Sequence, residues 1–128
     1  MARETLQTLP DDDRADVLVA TADAMLRQEV ATRLWADGCR VREIGDEDEL
    51  LDVLRATLPD GAHPALVVAD ARFAAHGLGQ ILSTLRAAGT PVLYVCAEQR
   101  PATARGIVFS SDASAEDVYY VAAHYLAH

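Results

Sequence analysis

The sequence predicts an α/β domain built on a doubly wound, five-stranded parallel sheet. Three observations lead there. Short β-rich apolar runs alternate with segments of helical periodicity along the chain. Two of the runs, 65–70 and 91–97, are apolar on both faces, as strands inside a parallel sheet are. Glycines and helix-capping residues fall at the joins.

The elements follow in order. Residues 1–14 are polar, with Pro10 and the run Asp11, Asp12 and Asp13, and are expected to be a loose lead-in; 15–128 form the domain. DVLVA (16–20) is the first strand. AMLRQEVATRLWADG (24–38) is a helix with Met25, Val30 and Leu34 at apolar spacing, Leu26 and Trp35 beside them, and Gly38 as its end. CRVREIG (39–45) alternates as a strand with two unlike faces. DEDELLDVLRATL (46–58) is a helix whose N-cap is Asp46, with Glu49 completing a capping box. PDGAHP (59–64) is a loop by its turn chemistry. ALVVAD (65–70) is a mid-sheet strand ending on Asp70, and GQILSTLRAAG (79–89) is a helix ended by Gly89. PVLYVCA (91–97) is the fourth strand, EQRPATAR (98–105) a short polar segment broken by Pro101, and GIVFSS (106–111) the fifth strand. SAEDVYYVAAHYLAH (114–128) closes the chain as a helix capped by Ser114. Strands separated by helices need right-handed crossovers and a parallel sheet. The topology is flavodoxin-like, strand order 2-1-3-4-5, with the fourth helix shortened or missing. Ligands of such folds sit at the carboxyl ends of the strands, where Asp70 lies.

Composition narrows the function. The formal net charge is −9 and no basic stripe is visible, which argues against direct binding of nucleic acid or anionic lipid. All eleven basic residues are Arg; the chain has no Lys. Cys39 and Cys96 lie far apart without metal-like spacing and read as small buried residues in a reducing compartment. With no apolar leader and no membrane-length apolar run, the expected location is cytoplasmic and away from membranes. His63, His76, His124 and His128 lack metal spacing and are expected at the surface.

The order and spacing of these segments resemble the receiver domain of two-component response regulators, over residues 16–127. In that family the phospho-accepting aspartate ends the third strand after a run like LVVAD, and a helix like GQILSTLR (79–86) follows. The resemblance therefore makes Asp70 the phospho-acceptor position. It also implies a Mg²⁺ held by the acceptor and an acidic pair after the first strand, a Ser or Thr after the fourth strand, and a Lys after the fifth. Phosphoryl transfer onto a carboxylate needs such cations, because negative charge is pushed against negative charge.

This chain departs from that set. The acidic pair falls on Thr21 and Ala22, and Asp23 stands one position later, where it suits a helix cap. Cys96 takes the hydroxyl position and Ser110, followed by Ser111, takes the Lys position. With no Lys in the chain, no shift of alignment restores it. Ile107 falls at the aromatic switch position, with Phe109 nearby. Losing one preorganised charge-stabilising group costs about 10²–10³ in rate. Asp70 thus reads as the remnant of a phosphorylation site, or as a carboxylate that bonds loop amides at a strand end. No cofactor is expected, Mg²⁺ included.

In the last helix Val118, Val121, Ala122 and Tyr125 are expected to form the core stripe. Tyr120 falls with Asp117 and His124 on the outward face; Tyr119, Tyr120 and His124 are the interface candidates. The reading is a non-enzymatic signalling module, a degenerate receiver that docks a protein partner without phosphate. The resemblance suggests a histidine kinase or an effector as that partner, and homodimerisation. One alternative is a working receiver that accepts phosphate on Asp70 from a histidine kinase. Another is a flavodoxin-like small-ligand binder, weakened by ATADAML (20–26), which offers no Gly-rich phosphate cradle after the first strand.

Overall fold

The computed structural model describes residues 15–61, 63–75, 78–95, 107–109 and 113–127. The lead-in 1–14, the segment 98–105, Cys96, Ser110, Ser111, His76 and His128 lie outside the described residues.

The elements are β1 (Asp16–Ala20), α1 (Ala24–Ala36), β2 (Arg40–Ile44), α2 (Glu47–Thr57), β3 (Leu66–Asp70), α3 (Leu78–Ala87), β4 (Val92–Val95), β5 (Ile107–Phe109) and α4 (Ala115–Leu126). Short 3₁₀ turns occupy Leu58–Asp60 and Ala71–Ala75. The five strands pair in parallel in the order β2-β1-β3-β4-β5, as predicted. No helix among the described residues is long and apolar enough to cross a membrane.

Alternation along the central strands divides the core into two layers. Leu18, Ala20, Val67, Ala69 and Tyr94 face one side, under Leu50 and Leu54 of α2 and Leu82 and Leu85 of α3. Val17, Val19, Leu66, Val68 and Leu93 face the other, under Val30 and Leu34 of α1 and Val118 and Ala122 of α4. β3 is buried along its whole length because it has strands on both edges and helices on both faces. β2 sits at the sheet edge, and of its five residues only Ile44 is buried. Burying one such Leu or Val side chain is worth about 1.5–3 kcal/mol, so these two layers are what hold the strand ends in register.

Local signals set the helix ends. Asp23 caps α1 by accepting from the Leu26 N–H, and Gly38 follows at φ +97°, a conformation that glycine adopts without cost. Asp46 caps α2 by accepting from Glu49 N–H at 2.8 Å. The Glu49 carboxylate reaches back to Gly45 N–H, one residue before the cap, so the expected capping box is displaced by one position. Ser114 and Asp117 form a full capping box at α4.

Two predicted core faces are corrected. Met25 and Trp35 are 80 % and 67 % exposed. The buried stripe of α1 is Val30, Ala31 and Leu34, and at 100° per residue Met25 points about 140° away from Val30. In α4 the buried stripe is Ala115, Val118 and Ala122, whereas Tyr125 is 38 % exposed. Tyr125 lies in the last turn, where it borders an open cleft with Arg86, Thr90 and Ile107.

Candidate functional site

The carboxyl ends of β1 and β3 lie side by side, with Ala20 opposite Ala69. That register brings Thr21, the first residue after β1, against Asp70, the last of β3. Both are buried, at 2 % and 4 % exposure. A carboxylate in such a place must have its lone pairs filled or lose its charge.

They are filled. The turn Ala71–Ala75 starts immediately after Asp70, and Ala71 and Phe73 are buried in the core. Anchored on both sides, Arg72 has its amide and its side chain directed back at the carboxylate. Oδ1 accepts from the Arg72 N–H and from its Nε–H, both at 3.0 Å. Oδ2 accepts from Arg72 Nη2 at 2.7 Å and from the Thr21 hydroxyl at 3.3 Å. Burial pushes the Asp70 carboxyl upward, but the guanidinium bonds, the amide bond and the charge of Arg72, with the bond from Thr21, outweigh it and hold the pKa below its ordinary value. The same pairing raises Arg72.

Thr21 is itself fully engaged. Its hydroxyl oxygen accepts from the Asp23 N–H at 3.2 Å while donating to Asp70. Its N–H donates to the Ile44 carbonyl at 3.1 Å, and its carbonyl accepts from Arg27 Nη1 at 2.7 Å. Arg27 also pairs with Glu43 at 3.4 Å. Asp70, Thr21 and the cap of α1 are thus one hydrogen-bonded chain.

Ala22, Gly45, Asp46, Glu47, Asp48, Arg72 and Phe73 line an open cleft of about 380 Å³ beside the pair. Among the described residues no three His, Cys, Asp or Glu side chains group as metal ligands would. Thr21 and Ala22 bring no carboxylate to the site, and one oxygen of the Asp23 carboxylate is engaged at the α1 cap. Mg²⁺ takes near-octahedral oxygen ligation, and this donor set does not fit it.

Of the predicted positions, the structure brings together Asp70, Thr21 and Asp23. Ala22 is exposed at the same end, and Cys96 and Ser110 fall outside the described residues. Tyr119, Tyr120 and His124 lie apart, on α4. Tyr119 is half-buried and donates its hydroxyl to Asp37 at 2.5 Å, under Arg33 at 5.5 Å from its ring centre. Tyr120 is 62 % exposed and His124 is exposed, its ring edge-on to Tyr125. Sequence reasoning missed Arg72 and Arg27. A signal for Arg72 was present: with no Lys and no acidic pair, the basic residue nearest Asp70 stands two positions on.

No family model and no curated protein matches the chain. Solved structures do. The chemotaxis response regulator CheY4 of Vibrio cholerae superposes with a TM-score of 0.64 at 18 % identity, covering 88 % of this chain and 98 % of that one. A response regulator receiver protein from Burkholderia phymatum gives 0.61 at 20 % identity, over 89 % and 96 %. A response regulator receiver domain protein from Clostridium thermocellum gives 0.64 at 15 % identity, over 88 % and 94 %. At these identities the likeness is one of architecture: the chain has the fold of response regulator receiver domains.

Proposed function

We propose that this chain is an atypical receiver module of two-component-type signalling, a non-enzymatic domain that docks a protein partner without phosphate on Asp70. The observation that carries the reading is the occupied carboxylate: both Asp70 oxygens accept donors from within the chain. A nucleophilic carboxylate needs a free lone pair aimed at phosphorus and cations placed around the transferring group. Here the nearest guanidinium is spent on the carboxylate itself, no Mg²⁺ is called for, and the chain has no Lys. The receiver fold supports a histidine kinase or an effector as partner, and the exposed Tyr120 and His124 on α4 suit a docking face.

The test is intact-mass measurement of the purified chain after incubation with acetyl phosphate and Mg²⁺, with Asp70→Ala as control. No phosphate adduct is expected. An adduct that forms on the wild type and vanishes in the variant would establish a phosphorylatable receiver and end the phosphate-independent reading.

A further inference from the structure

A carboxylate offers about four lone-pair sites on its two oxygens. At Asp70 four donors occupy them: the Arg72 amide, Arg72 Nε, Arg72 Nη2 and the Thr21 hydroxyl. Three of the four come from one residue, and the guanidinium grips both oxygens in the fork geometry that suits it to carboxylates. The resemblance places a divalent ion on this carboxylate, yet among the described residues there is neither a group of ligands nor a vacant Asp70 oxygen for one.

We infer that Arg72 is the resident cation of the Asp70 site: it takes from inside the chain the place that the resemblance gives to a metal ion, and closes the carboxylate to divalent cations. This deepens the reading of the chain as a phosphate-independent receiver, and it accounts for that silence by an occupant as well as by missing parts. The pair is lopsided. The Arg72 side chain is 61 % exposed, whereas that of Asp70 is 6 % exposed. An ordinary surface ion pair contributes little, but a buried carboxylate that loses its cation is left with an uncompensated charge. Arg72 is therefore a positioning residue. It fixes Asp70, and through the Thr21 hydroxyl it links the end of β3 to the end of β1 and, by the Asp23 N–H, to the start of α1. The guanidinium is part of the chain, so unlike a bound ion it does not leave the site by dissociating into solvent.

Two measurements test this on the full chain at neutral pH. The first is a double-mutant cycle in urea with Asp70→Asn, Arg72→Ala and the double variant. Arg72→Ala alone is expected to lower the folding equilibrium constant roughly tenfold or more, and to cost much less once Asp70 is Asn. Arg72→Lys keeps the charge but loses the fork, and should recover part of the loss. It also keeps the test alive if Arg72→Ala fails to fold. The second is Mn²⁺ broadening of backbone amide NMR signals in the wild type and in Asp70→Asn; Asp46, Glu47 and Asp48 line the adjacent cleft, so Thr21 and Ala71 should broaden to the same extent in both. Additive losses in the cycle, or broadening at Thr21 and Ala71 that Asp70→Asn abolishes, would each overturn the inference. A chain that takes phosphate from acetyl phosphate yet keeps the coupling, with broadening that does not depend on Asp70, loses the phosphate-independent reading and keeps this one.

Discussion

The hydroxyl of Thr21 lies 3.3 Å from Oδ2 of Asp70, with both residues buried, so the ends of two neighbouring strands meet through one side-chain hydrogen bond. The same oxygen accepts from the Asp23 N–H. Thr21→Val keeps the branched shape and removes both roles. It leaves Asp70 short of one donor and is expected to cost about 1–2 kcal/mol. Thr21→Ser keeps the hydroxyl, gives up one methyl group, and should cost less. Urea midpoints of the two variants decide it; a Thr21→Val variant as stable as the wild type would mean that Thr21 acts by packing alone.

Acid should weaken the fold through Asp70 in a defined direction. Burial raises its pKa, and the bonds and charge of Arg72 with the bond from Thr21 more than reverse this, so the folded value lies below the unfolded one of about 3.9. A group lowered on folding stabilises fully above its unfolded pKa, and that contribution is lost as pH falls through the folded value, where the unfolded chain binds the extra proton. Urea midpoints between pH 7 and pH 2.5 should therefore fall more steeply for the wild type than for Asp70→Asn. Parallel curves would show that Asp70 makes no such contribution.

Two glycines separate conformational from steric cost. Gly89 ends the turn after α3 at φ +104°, and a Cβ there would meet nothing within 4 Å. Gly89→Ala should cost about 1–2 kcal/mol, all of it backbone strain. A Cβ on Gly45 would lie 3.5 Å from Arg27 Nη1, an ordinary contact, and its φ is not positive. Gly45→Ala should be close to neutral, since ordinary contact is gained and the unfolded chain loses freedom. Melting temperatures of the pair test the contrast; similar shifts in both would refute it.

Much of this molecule was legible because its signals are local. Asp23, Asp46 and Ser114 cap the helices that their spacing announced, and Gly38 and Gly89 end two of them. The doubly apolar run ending at Asp70 could only lie mid-sheet. What escaped depends on which element covers which. Tyr125 has the spacing of a core residue, but it sits in the last turn of α4 on the rim of an open cleft with Arg86, Thr90 and Ile107. The spacing of Glu49 predicts a box closed on Asp46, whereas its carboxylate reaches Gly45. The site was half legible. Asp70, Thr21 and Asp23 follow from strand ends and a cap. Arg72 does not, because its grip on Asp70 exists only once the turn Ala71–Ala75 folds it back.

The link between Tyr119 and Asp37 joins residues 82 apart in sequence and ties α4 to the cap of α1. It predicts a titration. The Tyr119 phenol is raised above its ordinary value by its hydrogen bond to Asp37, then by burial and by the charge of Asp37, with Arg33 pulling the other way. Asp37→Asn removes the charge and weakens the acceptor, so the Tyr119 pKa should drop towards 10. Arg33→Ala removes the opposing charge and should push it further up. A ring-carbon NMR titration that assigns each tyrosine separately reads both shifts. The direction matters for function. A Tyr119 hydroxyl committed to Asp37 leaves the exposed Tyr120 as the tyrosine that can meet a partner side chain, so Tyr120→Ala should weaken partner binding more than Tyr119→Phe. If Asp37→Asn leaves the Tyr119 titration unmoved, the hydroxyl is not held by Asp37, and Tyr119 returns to the docking face as an equal of Tyr120.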